Sequence, residues 1–410
     1  MNGFATKAIH GSPQKRDPHG TLRPAVYDNV AFEFADAHEA QLAFEGRRPA
    51  HSYTRISNPT VEAFESRIRL LAGALGVIAV SSGMAAISNV LMALAETGTN
   101  VVSTRWVFGN TYSLFEHTFK PWGLDVHYVD MADTDALAAA IDERTRAVFL
   151  ESITNPQLQV ADIARIAQIA HTRGVPVVLD GTTTTPYLFR SKDSGVDVEV
   201  LSSTKYISGG ATSVGGLIID NGIFNWKQNP KLIAQAKKFG PGTLLNVLRR
   251  EVYRNLGSCL APHNAFLQTL GLETLSLRID KSCANTLSIA QWLQQQPNVS
   301  AVNYPGLTTS PYYCAAKQQF PRGAGGILTF NLVNREQCFA FQDALKLVRR
   351  ATNINDNKTL VLHPASTIYC EYSTEEKSAM GVSDSMLRLA VGIEDVEDII
   401  EDLERGLAAL

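Results

Sequence analysis

Val177-Val178-Leu179-Asp180, followed by Val198-Glu199-Val200-Leu201-Ser202-Ser203-Thr204-Lys205, is the stretch on which the fold turns. Each segment is a short apolar run that ends on polar or charged groups. Bounded runs of this length, rich in Val and Leu, read as strands buried on both faces. Asp180 closes the first run and so stands at the carboxyl edge of a sheet, where α/β proteins bind ligands. An Asp there either serves a ligand or caps the next turn, and its position alone leaves both open. Lys205, directly after a buried strand, is the stranger feature, because lysine is rarely buried without a task.

Similar runs recur outward from this stretch, at Val77 to Val80 and at 100–104, 124–129, 146–150 and 214–219. Helical spacing separates most of them, for instance at 133–142 and 160–172. Asn58-Pro59 marks a helix start, with Asn as the cap and Pro at the first helical position. Val61, Phe64, Ile68 and Leu71 then share one face. A second helix follows Ser81-Ser82-Gly83 and carries Ile87, Val90, Leu91 and Leu94 on one side. Strands alternating with helices predict an α/β fold with a mostly parallel sheet covered on both faces. Beyond about residue 250 the alternation weakens. A long helical region precedes strands at 299–304, 326–333 and 386–391. A closing amphipathic helix carries Val396, Ile399, Ile400, Leu403 and Leu407. The expected organisation is an irregular arm (1–60) that needs something to pack against, such as a second subunit, then a main domain (61–255) and a smaller C-terminal α+β domain (256–410).

Composition excludes several function classes. The 410 residues are 45% apolar and 19% charged, and 37 basic against 40 acidic side chains give a net charge of −3. No basic excess exists to neutralise phosphates, so no nucleic-acid partner is expected. No apolar run approaches the roughly 18 residues of a membrane span, and the opening MNGFATKAIHGSPQKRDPHG lacks the apolar core of a secretory signal. Cys259, Cys283, Cys314, Cys338 and Cys370 are odd in number and form no CxxC pair. They predict reduced thiols in a cytoplasmic protein and no metal site.

Three clues converge on one chemistry. Ser81-Ser82-Gly83-Met84 lies between a strand and a helix N-terminus, where unpaired N–H groups favour an anion and Gly83 permits close approach. Taken alone, it reads better as a tight turn with a serine cap. Asp180 and Lys205 follow on the same sheet edge. A desolvated lysine has a lowered pKa and forms a Schiff base with an aldehyde. An anion cradle, an acid and such a lysine are the parts that pyridoxal phosphate requires.

The wider pattern resembles the cystathionine γ-synthase-like family of Cys/Met metabolism, over nearly the whole chain. The matching stretches are Tyr53-Thr54-Arg55, Asn58-Pro59-Thr60, Ser82-Gly83-Met84, Glu151 with Asn155-Pro156, Asp180, Ser202 to Lys205, His363 to Thr367, and Arg388-Leu389 with Val391-Gly392. The resemblance implies the fold-type I architecture of pyridoxal phosphate enzymes. It also implies that Lys205 holds the cofactor and moves protons, and that Asp180 pairs with the pyridine nitrogen. Gly83, Met84, Ser82, Ser202 and Thr204 would bind the phosphate, and position 108 would stack on the ring. Tyr53 and Arg55 would reach the phosphate of a neighbouring subunit, which makes a homodimer the active unit and a homotetramer the expected assembly; Tyr53 is also a candidate catalytic group. Arg388 would clamp the α-carboxylate of an amino-acid substrate, Asn155 would contact the cofactor O3′ or that carboxylate, and Asn353 would lie near the same group.

Within the family the chain looks most like O-acetylhomoserine sulfhydrylases, through Asn353-Ile354-Asn355-Asp356 and His363-Pro364-Ala365-Ser366-Thr367. The implied reaction is γ-replacement on O-acetyl-L-homoserine with sulfide or a small thiol. The alternatives are γ-elimination on methionine or a related amino acid, and a cofactor-binding protein without turnover. Asn110 stands where the methionine γ-lyase branch often has Cys, which weakens the first alternative. Two departures stand out. Phe108 replaces the family's usual ring-stacking Tyr and cannot exchange a proton. Asp180-Gly181-Thr182-Thr183 replaces the usual Asp-Asn-Thr-Phe.

Overall fold

The computed structural model describes residues 3–11 and 19–410. Its centre is a seven-stranded sheet of β1 (Gly76–Val80), β2 (Asn100–Ser103), β3 (Asp125–Tyr128), β4 (Thr145–Glu151), β5 (Val177–Asp180), β6 (Val198–Leu201) and β7 (Gly216–Asp220), in the order β1-β7-β6-β5-β4-β2-β3. Only β7 runs against its neighbours; the strands from β6 through β3 are mutually parallel. All seven strands fall on the predicted segments. Their residues alternate between two cores, as a period of two requires. Val148, Leu150, Val177 and Leu179 pack on the side of the helix Ile163–Thr172. Ala147, Phe149, Val178, Val198 and Val200 pack on the side of the helix Gly83–Leu94. Each buried aliphatic side chain contributes about 1.5–3 kcal/mol relative to exposure, so this double layer fixes the strand ends rigidly.

A second sheet follows in the order β10-β11-β12-β9-β8, built from β8 (Ala301–Asn303), β9 (Ile327–Asn331), β10 (Arg349–Arg350), β11 (Leu360–Leu362) and β12 (Met386–Ala390). The reading of the sequence missed β10 and β11. An exposed Arg-Arg pair and a three-residue run carry no periodic signal. Leu328, Phe330, Leu387 and Leu389 of this sheet share one apolar core with Val148 and Leu179 of the first, and the last helix (Val396–Leu407) closes it with Ile399, Leu403 and Leu407.

The arm differs in part from its irregular expectation. Residues 1–2 and 12–18 lie outside the described residues. Helices occupy Phe4–His10 and Ala37–Phe44, the latter capped by Asp36, which accepts from the Glu39 N–H. The first of these packs on its own subunit: Ala8 is buried, the Ala8 carbonyl accepts from Arg67 Nη1 at 3.1 Å, and Phe4 meets Tyr187 edge-on at 4.9 Å. The stretch between them leaves Leu22, Val26, Tyr27 and Val30 exposed. No described helix is long and apolar enough to cross a membrane.

Asn58 performs its predicted cap and more. Its Oδ1 accepts from the Thr60 N–H at 2.9 Å, and its Nδ2 donates to the Tyr27 carbonyl, tying the arm to the helix Pro59–Ala72. Asn58→Ala is therefore expected to lower unfolding free energy by about 1–2 kcal/mol, measured by urea denaturation, and to speed amide exchange at Tyr27 and Thr60.

Candidate active site

Parallel pairing brings the ends of β4, β5 and β6 to one edge. The register sets Glu151 opposite Asp180 and Asp180 opposite Val200. The segments leaving those strands then line one cavity of about 200 Å³, through Glu151 and Asn155, through Asp180 and Thr182, and through Ser202, Thr204 and Lys205. Ser82, Gly83 and Met84 close it from a helix N-terminus, Phe108 from the segment after β2, and Arg388 from β12.

The helix N-terminus is held unusually close. Ser82 Oγ caps it by accepting from the Ala85 N–H at 3.1 Å. The N–H groups of Gly83 and Met84 belong to the first turn and have no intrahelical acceptor. A Cβ on Gly83 would come within 2.8 Å of Ser202 Cβ, and one on Gly216 would overlap the Ser82 carbonyl. Glycine at both positions lets loop, strand and helix end meet, which leaves an anion cradle beside Ser202.

The cavity has a positive side without an acid partner. Arg388 is only 2% exposed. Its Nη1 donates to Asn155 Oδ1 at 3.0 Å, its Nη2 to the carbonyls of Thr352 and Asn353, and its buried Nε has no partner among the described residues. Burial pulls its pKa down to about 10. Lys205 Nζ donates to Asn353 Oδ1 at 2.5 Å, and Asn353 Nδ2 in turn donates to Asp356. Burial and then the Arg388 charge lower Lys205 to about 8, with Asp356 opposing them.

The opposite side is acidic. Burial raises the pKa of Asp180, while the hydroxyl and N–H of Thr182 hold it back. Burial and then the Asp180 charge raise Glu151, against hydrogen bonds from the Phe108 and Asn155 N–H groups. Among the described residues no Lys, Arg or His acts on either carboxylate. Adjacent buried acids without a cation disfavour joint ionisation.

These features fit pyridoxal phosphate. The cradle suits a phosphate, Lys205 is an amine poised near neutrality, and a protonated ring nitrogen is the cation that the carboxylates lack. The structure brings together Ser82, Gly83, Met84, Phe108, Asn155, Asp180, Ser202, Thr204, Lys205 and Arg388 as lining residues, with Asn353 touching Lys205. Thr204 lines the cavity. Its hydroxyl donates to the Gly215 carbonyl at 3.1 Å and accepts from the Gly215 N–H. Tyr53 and Arg55 are not brought to the cavity of their own chain. Tyr53 is 42% exposed, Arg55 lies over its ring at 5.5 Å, and Arg55 Nη1 donates to the Arg254 carbonyl. Glu151 was legible only as part of a motif, although it ends a buried strand just as Asp180 does. Ile153, Thr111 and Ile354 also line the cavity, and nothing in their local sequence marks them.

The comparisons with known proteins agree with this chemistry. The family model for Cys/Met metabolism PLP-dependent enzymes matches residues 5–408. The L-methionine γ-lyase of Pseudomonas putida is 36% identical over 411 residues, covering 100% of this chain and 98% of its own. A crystal structure of a candidate O-acetylhomoserine (thiol)-lyase from Campylobacter jejuni, which contains N′-pyridoxyl-lysine-5′-monophosphate, superposes with a TM-score of 0.95 at 34% identity over 99% of both chains. The O-acetylhomoserine sulfhydrylase of the methionine biosynthetic pathway of Wolinella succinogenes is 50% identical, covering 86% of this chain and 98% of its own, with a TM-score of 0.77.

Only a neutral amine attacks an aldehyde. With Lys205 lowered to about 8, capture of pyridoxal phosphate by the apoenzyme should accelerate with rising pH and level off above that value. Stopped-flow absorbance measures it. A rate still climbing steeply toward pH 10.5, the ordinary lysine value, would contradict the assigned environment.

Proposed function

The chain belongs to the Cys/Met metabolism PLP-dependent enzyme family, and from that premise we propose that it performs γ-replacement on O-acetyl-L-homoserine, with sulfide or a small thiol as the incoming group. The Cγ–O bond breaks, acetate leaves with the electron pair, and sulfur bonds to Cγ to give homocysteine or its thioether. The observation that carries this reading is a buried arginine without an acid partner, Arg388, facing a desolvated lysine across a cavity of amino-acid size. The likeness to O-acetylhomoserine sulfhydrylases supports the leaving group.

Pyridoxal phosphate, when bound, supplies an electron sink for charge that develops at the substrate's Cα. The residues supply the rest. Arg388 receives the α-carboxylate in a two-pronged geometry that lysine does not copy. Asn155 Oδ1 accepts from Arg388 Nη1 and orients that guanidinium. Asp180 keeps a proton on the ring nitrogen. The first-turn N–H groups at Gly83 and Met84, with Ser202, hold the phosphate. Lys205 Nζ takes the proton from Cα and returns one at the end. Phe108 keeps an aromatic face but carries no proton, so acid–base work falls on Lys205 and on Tyr53 of a second copy of the chain. That copy would add Tyr53 and Arg55 to complete the site, which makes a homodimer the minimal active unit and a homotetramer of two such pairs the full assembly. The setting is the cytoplasm.

The γ-elimination reading draws support from the methionine γ-lyase relative, and Asn110 counts against it. A binder without turnover has no use for the Arg388 clamp. Purified holoenzyme given O-acetyl-L-homoserine and sulfide is expected to release homocysteine and acetate. Ammonia and a 2-oxo acid formed equally well without sulfide would favour elimination. Lys205→Ala should abolish both the yellow colour and turnover. Arg388→Lys should lower kcat/KM by about 10–100-fold, the cost of one charge-assisted bond, chiefly through KM. Arg55→Ala should weaken cofactor binding, read by equilibrium dialysis, and unchanged affinity would argue against the shared site.

A further inference from the structure

Phe108 and Asn155 reach the cavity on separate segments, the first after β2 and the second after β4. One side chain joins the two. Tyr369 is fully buried, and its hydroxyl is shared between the carbonyls of Val107 and Asn155, at 3.3 Å to each. Neither carbonyl accepts another hydrogen bond among the described residues. The hydroxyl thus holds the residue ahead of Phe108, and it holds the backbone of the residue whose Oδ1 receives Arg388 Nη1. The packing is as close as the bonding. A Cβ on Gly109 would come within 3.0 Å of the Ile368 carbonyl and 3.6 Å of the Tyr369 ring. Burial, and then the Glu151 charge, raise the Tyr369 pKa, so the group stays protonated and stays a donor.

The stretch from His363 to Thr367 holds this tyrosine in place. Thr367 Oγ1 donates to the His363 carbonyl at 2.7 Å, and the Tyr369 N–H donates to the Pro364 carbonyl at 3.1 Å. His363 is itself buried, with Nδ1 on Ser366 Oγ and Nε2 on the Asp384 carbonyl, each at 2.8 Å. None of these five residues lines the cavity; together they form a pinned turn that presents Tyr369. Tyr372 follows and donates to the Gly109 carbonyl at 2.9 Å, just past Phe108 in the chain. Among the described residues Tyr372 makes no bond to Asn155.

We propose that Tyr369 is a positioning residue that ties the aromatic face at Phe108 to the carboxylate clamp at Arg388. This rests on the reading above, in which Phe108 meets the cofactor and Arg388 the α-carboxylate. Tyr372 secures the Phe108 side alone. The two tyrosines therefore differ in reach, and that difference is the test.

Tyr369→Phe keeps the ring and removes the hydroxyl. The probe is L-norvaline, an amino acid without a γ leaving group, titrated into holoenzyme and read by the visible spectrum. Tyr369→Phe should alter the visible circular dichroism of the bound cofactor and weaken norvaline binding by about 3–10-fold, the worth of one neutral hydrogen bond. Tyr372→Phe should alter the dichroism while norvaline affinity stays that of the parent. The idea is overturned if Tyr369→Phe binds norvaline like the parent, or if Tyr372→Phe weakens it to the same extent, as general loosening of a shared core would. Should Tyr369→Phe fail to fold, Thr367→Val loosens the turn behind Tyr369 and leaves its ring. That variant should show the same pattern at smaller amplitude, and unchanged norvaline binding in it overturns the tie as well. Norvaline has no group to replace, so a failed sulfhydrylase assay leaves this result standing. An Arg388→Lys protein with unchanged norvaline affinity would instead remove the clamp reading.

Discussion

Uncompensated charge is the constraint around which this molecule is built. Glu151 and Asp180 end adjacent parallel strands, Glu199 lies one strand over, and all three carboxylates are buried or nearly so without a basic partner among the described residues. Across the same cavity, Arg388 is buried and Lys205 half-buried, with no acid in ion-pair contact among the described residues, their polar partners being Asn155, Asn353 and carbonyls. Burying ions in this way opposes folding unless something else holds the geometry. Here the two apolar layers on either side of β4, β5 and β6 hold it. The core does not merely surround the site; it holds acids together on one wall and cations together on the other, and keeps the two walls apart.

A cavity with separated, unpaired charges selects a guest with complementary poles. A cofactor with a cationic ring nitrogen and an anionic phosphate satisfies the acidic wall and the helix end together. The Arg388 guanidinium, with amide and carbonyl partners alone among the described residues, suits a carboxylate. Asn155 illustrates the economy of parts. Its backbone N–H steadies Glu151 on the acidic side and its side-chain Oδ1 steadies Arg388 on the basic side, so one residue couples the two walls.

Much of this was legible in the residue order. The strands of the first sheet were readable because β-branched runs bounded by polar groups repeat along it, and Asp180 and Lys205 declared themselves by standing at the ends of such runs. β10 and β11 were not readable, since their pairing partners, not their own residues, make them strands. The short helices of the arm were equally hidden; the Asp36 cap is a local signal, but Phe4–His10 is held by contacts with Arg67 and Tyr187 far along the chain. In the site, residues that act through charge stood out, while Ile153, Thr111 and Ile354 did not, because lining a cavity leaves no mark on local sequence.

The two departures from the family pattern have one thing in common. At 108 the hydroxyl is gone, yet the backbone N–H of Phe108 still donates to Glu151 at 2.6 Å, so the position keeps its hold on the acidic wall while losing a titrating group above the cavity. At 181 the side chain is gone, and the Glu199 carboxyl on the next strand fills its space. At both positions the backbone stays pinned, by Glu151 at 108 and by Val200, Thr184 and Thr185 at 181, while the side chain differs.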